Sequence, residues 1–479
     1  MTGLTTIRTT FARIISFVPS ATSVWLSLLC VCAGLFTTSA LPNALLWPMR
    51  VLFAGAALWL TFAAVRMAMT AKLDGKKIVF TGILGLFLYG MFFLMCHVFL
   101  KLMSAKDESV MSAKTDALTD AARLGIRAML DGASPVQYDA EIGWVHRPGY
   151  EWRGHSITAQ GLRGTKLYPE TAADPSKRIL CIGDSFTFGY EVPDAECYPA
   201  HGEGLLPGME WINLGLCGAG LTQMLEQYRK NGRKFGGKYV VIGFMTNNKK
   251  RTVNSYRAFL APTSSMTPMT MPFAKMTNGV HSIEPNPYQS LADYERLLEN
   301  EPEELAKLRE LDYITWSNLH GSTNPIARTF RYVFEAYGVR RNLDVLLQRR
   351  EDARPPRPGP GEEPYGDSIW HPASLAFQAN TGVFDLLHKE ILADGRIPLF
   401  VILPSAQDVK ERSKGLTPLH KELLAYLREK EYPHFDFLDS LERKHGRKLR
   451  EEDLYVGTHF NGVTNKLLAK EIIKALRLP

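Results

Sequence analysis

A chain of 479 residues exceeds one ordinary hydrophobic core, so two or more structural units are expected. The net charge of +7 is modest for this length. Lysines and arginines are interleaved with acids and gather in no aromatic-flanked groove, so nucleic acid is excluded as an expected partner.

Apolar residues are unevenly spread, with nearly all long runs before about residue 105. Three of them, at about residues 20–41, 49–69 and 78–102, each meet the roughly 20 apolar residues that a transmembrane helix requires. Arg50 and Arg66 lie near the ends of the second, where they can snorkel to headgroups. Buried helices of a soluble core are the plainer alternative, but three such runs in succession argue against it. Arg8 and Arg13 precede the first run, and Lys72, Lys76 and Lys77 separate the second from the third. The connection "PNALLWPMR" is nearly uncharged. The positive-inside rule then leaves the N-terminus cytoplasmic and everything after Lys101 periplasmic or extracellular. A cleaved signal peptide ending near Ser39-Ala40 is the competing reading of the first run, and it leaves the rest oriented the same way. Residues 1–102 are therefore expected to be a membrane anchor in the lipid bilayer.

Residues 103–137 alternate charge with Ala, Met and Leu and read as a juxtamembrane helix and linker. From 138 to 164 the chain is rich in aromatics and glycines without a long period, which predicts extended segments and turns. Strand-like apolar runs then recur at 178–183, 210–214, 238–245, 397–403 and 434–438, with helical patterns between them such as 219–234 and 381–395. This alternation predicts an α/β domain over 138–479, a flavodoxin-like, doubly wound parallel five-stranded sheet in the order 2-1-3-4-5. The stretch at about 249–380 is far longer than a crossover needs and is expected to be an insertion with its own helices, such as a lid or docking surface. Cys181, Cys197 and Cys217 match no zinc spacing, and neither do His320, His371, His388, His420 and His434.

In such a sheet, ligands gather beyond the carboxyl ends of the strands. The first strand runs into Ser185 in "RILCIGDSFTFG". The second ends in "NLGLCGAG" with Asn213, the third in "MTNN" with Asn247 and Asn248, and His459 opens the last helical run in "THFN". Acyl transfer needs a hydroxyl nucleophile, a base and donors aimed at the oxyanion. Taken singly, Gly218 is a turn former, Asn247 a cap and His459 a surface histidine. Their order along the chain is what argues for a site.

These four blocks resemble those of the SGNH hydrolase superfamily, the GDSL-type esterases and acyltransferases, over roughly residues 135–479. The lead-in "GWVHRPG…GLRG" is similar to that of exported, membrane-anchored members. The resemblance implies the SGNH hydrolase fold, with Ser185 as nucleophile and His459 as base. Its oxyanion hole would comprise the Ser185 N–H, the Gly218 N–H and the Asn247 side chain, with no metal and no cofactor. Two positions depart from the pattern. Asn248 stands where an acid is usual, a change expected to affect packing. Val456 stands where the family places the acid that orients the histidine, and Asp453 or a backbone carbonyl is the expected replacement.

The expected function is a membrane-anchored serine esterase. It would act through an acyl-serine on ester-linked acyl groups, acetyl above all, of cell-envelope glycans or lipids. The alternatives are an O-acyltransferase modifying a surface polysaccharide, which would need an acyl-donor membrane partner, and a catalytically retired glycan-binding or scaffold protein.

Overall fold

The structure, a computed structural model, describes residues 117–478 apart from 262–263, 278–279, 313–371, 373, 416, 419 and 447–448. These residues fall within one compact unit, Asp107–Leu319 with Asp367–Pro479. The three apolar runs expected to span a membrane lie outside the described residues. So does the part of the insertion from 313 to 371. Among the described residues, no helix is long and apolar enough to cross a membrane.

Five parallel strands form the central sheet: β1 Arg178–Gly183, β2 Glu210–Gly215, β3 Tyr239–Met245, β4 Ile397–Leu403 and β5 His434–Asp436. They pair in the order β5-β4-β3-β1-β2, the order expected from the sequence. Successive residues of a strand point to opposite faces, so a continuous apolar run serves two cores at once. Leu180, Ile182, Val240 and Ile242 pack one face against helices at Leu221–Gln227, Leu375–Ala393 and Lys421–Glu429. Ile179, Cys181, Val241 and Val401 pack the other against helices at Tyr198–Leu205, Phe437–His445 and Gly462–Ala475.

The last strand-like run is cut short. It stops at Asp436, whose carboxylate caps the following helix by accepting the Leu438 N–H at 3.0 Å. The other carboxylate oxygen meets the fully buried His420 at 3.0 Å.

A third core lies beside the sheet. The helix Asp120–Leu130 and the hairpin Val136–Asp139/Gly143–His146 contribute Ile126, Val136 and Trp144 to it. The first part of the insertion supplies Tyr256, Met271, Tyr294 and Leu305. Arg123 Nε and Glu301 meet across this core at 2.5 Å. The insertion's described first half is thus part of the body of the unit. It carries two helices, Leu291–Glu299 and Glu301–Leu311, with Asn300 as the break and Pro302 in the opening turn of the second, where the absent N–H costs nothing.

Candidate active site

The chain leaves β1 through Gly183-Asp184 into a single helical turn, Ser185–Phe188, named α1 here. The Asp184 carboxylate caps that turn by accepting the Phe186 N–H at 3.0 Å, and Gly189, at φ +81°, ends it in the left-handed region. The turn sits directly on strand backbone. A Cβ at Gly183 would lie 2.0 Å from Thr187 Oγ1, and one at Gly215 would lie 2.3 Å from the Phe188 N. Asn213 braces the turn from below by donating to the Thr187 carbonyl at 3.0 Å. Ser185 is thereby held at the rim of the sheet, 9% exposed.

His459 arrives from the far end of the chain on a two-residue hairpin, Tyr455–Val456/His459–Phe460, just before the final helix. Its Nε2 lies 2.7 Å from Ser185 Oγ. Phe186 and Tyr190 flank its ring, with centroids at 4.8 and 5.3 Å.

The carboxylate on the other ring nitrogen is Glu191, whose Oε2 lies 2.9 Å from His459 Nδ1. The same oxygen accepts the Thr458 N–H at 2.7 Å and the His459 N–H at 2.8 Å. A carboxylate only accepts, so neutral His459 carries its proton on Nδ1 and leaves Nε2 free to accept from the serine hydroxyl. Burial pushes the Glu191 carboxyl up. The His459 ring and the two amides outweigh burial and hold it below its ordinary value of 4.5.

Asp453, the acid favoured by sequence, is not on the histidine. Its carboxylate is taken by Arg450, with both contacts at 2.8 Å. It belongs to the short helix Glu451–Leu454 ahead of the hairpin. Val456, at the position usual for the acid, is 43% exposed and faces its partner His459 across the hairpin. Gly457 makes the replacement possible. At φ +57° it occupies a conformation that favours glycine, and a Cβ there would lie 2.4 Å from Glu191 Oε1. The sequence signal for Glu191 was therefore double: an acid six residues past the serine, and a glycine beside the vacant acid position.

The expected oxyanion donors are brought to the same end of the sheet by a hub on Asp184, which is fully buried. Its Oδ2 accepts from Asn248 Nδ2 at 2.7 Å and meets Arg251 Nη1 at 3.4 Å. Arg251 in turn donates to the Ala219 carbonyl at 3.2 Å. The loops holding Asn247 and Gly218 are thus both tied to the residue preceding Ser185. Gly218 has φ +82°. Its neighbour Cys217 is pinned by the lead-in hairpin: its carbonyl accepts from Trp144 Nε1 at 3.0 Å, and its N–H donates to His146 Nε2 at 3.3 Å. Burial, and then the Arg163 charge, push His146 down to about 3, so it stays neutral and able to accept. The aromatic lead-in therefore shapes the glycine loop. Asn247 is exposed just past β3, and its N–H donates to Met245 Sδ at 3.1 Å. Among the described residues, the Ser185 and Gly218 N–H groups and the Asn247 side-chain amide have no hydrogen-bond acceptor.

Cys181, Cys197 and Cys217 are free and buried. Burial pushes all three thiols up, which leaves them unreactive. No group of acids, histidines or cysteines suited to a metal ion occurs among the described residues.

No protein-family model matches the chain. No curated protein matches it. Among solved structures, a candidate acylhydrolase from Bacteroides fragilis NCTC 9343 aligns with 64% of this chain and 90% of its own at 13% identity, with a TM-score of 0.30. A member of the lipolytic protein G-D-S-L family from Veillonella parvula DSM 2008 aligns with 63% and 99% at 13% identity, with a TM-score of 0.28. The chain is similar to both at that level, and its own side-chain geometry carries the functional reading.

Proposed function

We propose that this chain is a serine esterase, anchored in a membrane by residues 1–102 and facing the cell envelope. It would cleave ester-linked acyl groups, acetyl above all, from glycans or lipids there. The observation that carries the proposal is the unbroken relay from Ser185 Oγ through His459 to Glu191, with links of 2.7 and 2.9 Å. In this reading His459 Nε2 takes the hydroxyl proton as Ser185 attacks the ester carbonyl. Glu191 keeps the ring in the productive tautomer and stabilises its charged form. The Ser185 and Gly218 N–H groups and the Asn247 amide receive the oxyanion. His459 then returns the proton to the departing alcohol, leaving an acyl-serine. Water, activated by the same imidazole, releases the acid and restores the serine. Transfer of the acyl group to a sugar hydroxyl would use the same residues. Hydrolysis is the simpler reading because it needs no donor-supplying partner. A retired, binding-only role loses its main support once Glu191 fills the place that Val456 leaves empty.

A fluorophosphonate probe tests the proposal. Wild-type protein is expected to label at Ser185, and Ser185→Ala and His459→Ala to lose the label while remaining folded. A folded wild type that does not label would refute it. On acetyl esters, free acetate is the expected product; labelled acetyl recovered on an added glycan would instead favour transfer.

A subtler variant checks the fit of the acid. Gly457→Ala forces a methyl group against Glu191 and strains the backbone by about 1–2 kcal/mol. Moving the carboxylate by even 1 Å is expected to lower kcat/KM by about 10²-fold, a loss read directly in ester-hydrolysis assays.

A further inference from the structure

We propose that Arg257, beside the Gly218 loop, binds an anionic group, carboxylate or phosphate, carried by the substrate next to its scissile ester. The inference deepens the esterase reading and rests on it for the word substrate. Arg257 Nε packs beside Gly218, 3.7 Å from where a Cβ would stand, and Trp144 and Thr267 crowd the same spot at 3.5 and 3.2 Å. That nitrogen is sealed from solvent and has no hydrogen-bond acceptor. No carboxylate pairs with the guanidinium among the described residues.

The neighbourhood carries excess positive charge. Arg251 and Arg257 share a single acid, Asp184, already engaged by Asn248, the Phe186 N–H and Arg251. Burial and then the Arg251 charge push the Arg257 guanidinium well below its ordinary value, so the unliganded protein holds this cation at a cost. A fold has no use for an uncompensated guanidinium, whereas an oxyanion group fits its planar fork. The residue also stands beside one of the expected oxyanion donors, so an anion bound there would lie close to the reacting carbonyl.

The test uses the full chain in detergent micelles. Calorimetry measures binding of inorganic phosphate, and separately acetate, to Ser185→Ala protein with Arg257 intact or replaced by Gln. Phosphate or acetate is expected to bind, and Arg257→Gln to weaken that binding about ten- to hundredfold. Whichever probe binds more tightly identifies the group. In the active protein, the kcat/KM ratio of para-acetoxybenzoate to its neutral methyl ester is expected to fall by a similar factor in Arg257→Gln. The thermal midpoint of that variant without ligand should match or exceed wild type, because an unpaired, partly buried cation has been removed. Absent binding of either anion, equal binding with and without Arg257, equal slowing of both esters, or a lowered midpoint would each overturn the proposal. If neither ester is turned over, the esterase reading fails, and the calorimetry still decides the anion site.

Discussion

Glu191→Gln is expected to reduce turnover of an acetyl ester by about 10⁴-fold while leaving the protein folded, the loss associated with removing the acid of a serine–histidine–acid relay. Glutamine retains the shape and an acceptor for the Thr458 and His459 amides. It cannot stabilise the imidazolium, and its amide allows the ring to settle in the wrong tautomer. Asp453→Asn is the control. That carboxylate forms an exposed pair with Arg450 and touches nothing in the site, so turnover should stay within a few-fold of wild type. The reverse result, with Asp453 essential and Glu191 dispensable, would overturn the assignment.

The same carboxylate leaves a signature in acid. Its pKa in the folded protein lies below the ordinary 4.5, so its contribution to stability is complete above 4.5 and is lost as pH falls through the lower folded value. The gap in thermal midpoint between wild type and Glu191→Gln is therefore expected to close as the pH is lowered past that point.

Asp184→Ala is expected to cost about 3–5 kcal/mol of stability, measured by chemical denaturation, because it leaves a mostly buried Arg251 without its counter-ion. The loss is compounded. The Phe186 N–H loses its cap and the Asn248 amide its acceptor, so the loops carrying Gly218 and Asn247 are released together. Activity should fall with stability. Asp184→Asn, which keeps the cap but not the charge, should lie between. Adding Arg257→Gln to Asp184→Ala is expected to recover part of the stability, since two guanidiniums would otherwise repel with no anion between them.

Much of this arrangement is legible in the chain because its rules are local. Four of the five strand-like runs appear in the sheet within one residue and the last ends two residues early, and their order follows from right-handed crossovers. Ser185 and His459 could be singled out because each sits at the end of a periodic segment and within a recognisable block. Glu191 could not be ranked above Asp453 by spacing alone. Its partner lies 268 residues away, and only the conformation of Gly457 opens the space it fills. Asn248 was expected to matter for packing, and its bond to Asp184 gives that expectation a definite form. The role of the aromatic lead-in was hidden for a similar reason. Trp144 and His146 act on Cys217 through a backbone carbonyl and N–H, which leave no trace in side-chain pattern.

The sequence separation of 274 between nucleophile and base has a consequence for biosynthesis. A ribosome releases Ser185, Glu191 and four of the five sheet strands well before the hairpin bearing His459. Until that hairpin emerges and docks, the nascent protein holds a serine with nothing to deprotonate it. Hydrolytic power would thus switch on only once that hairpin has docked, guarding acyl esters met on the way from a half-folded enzyme.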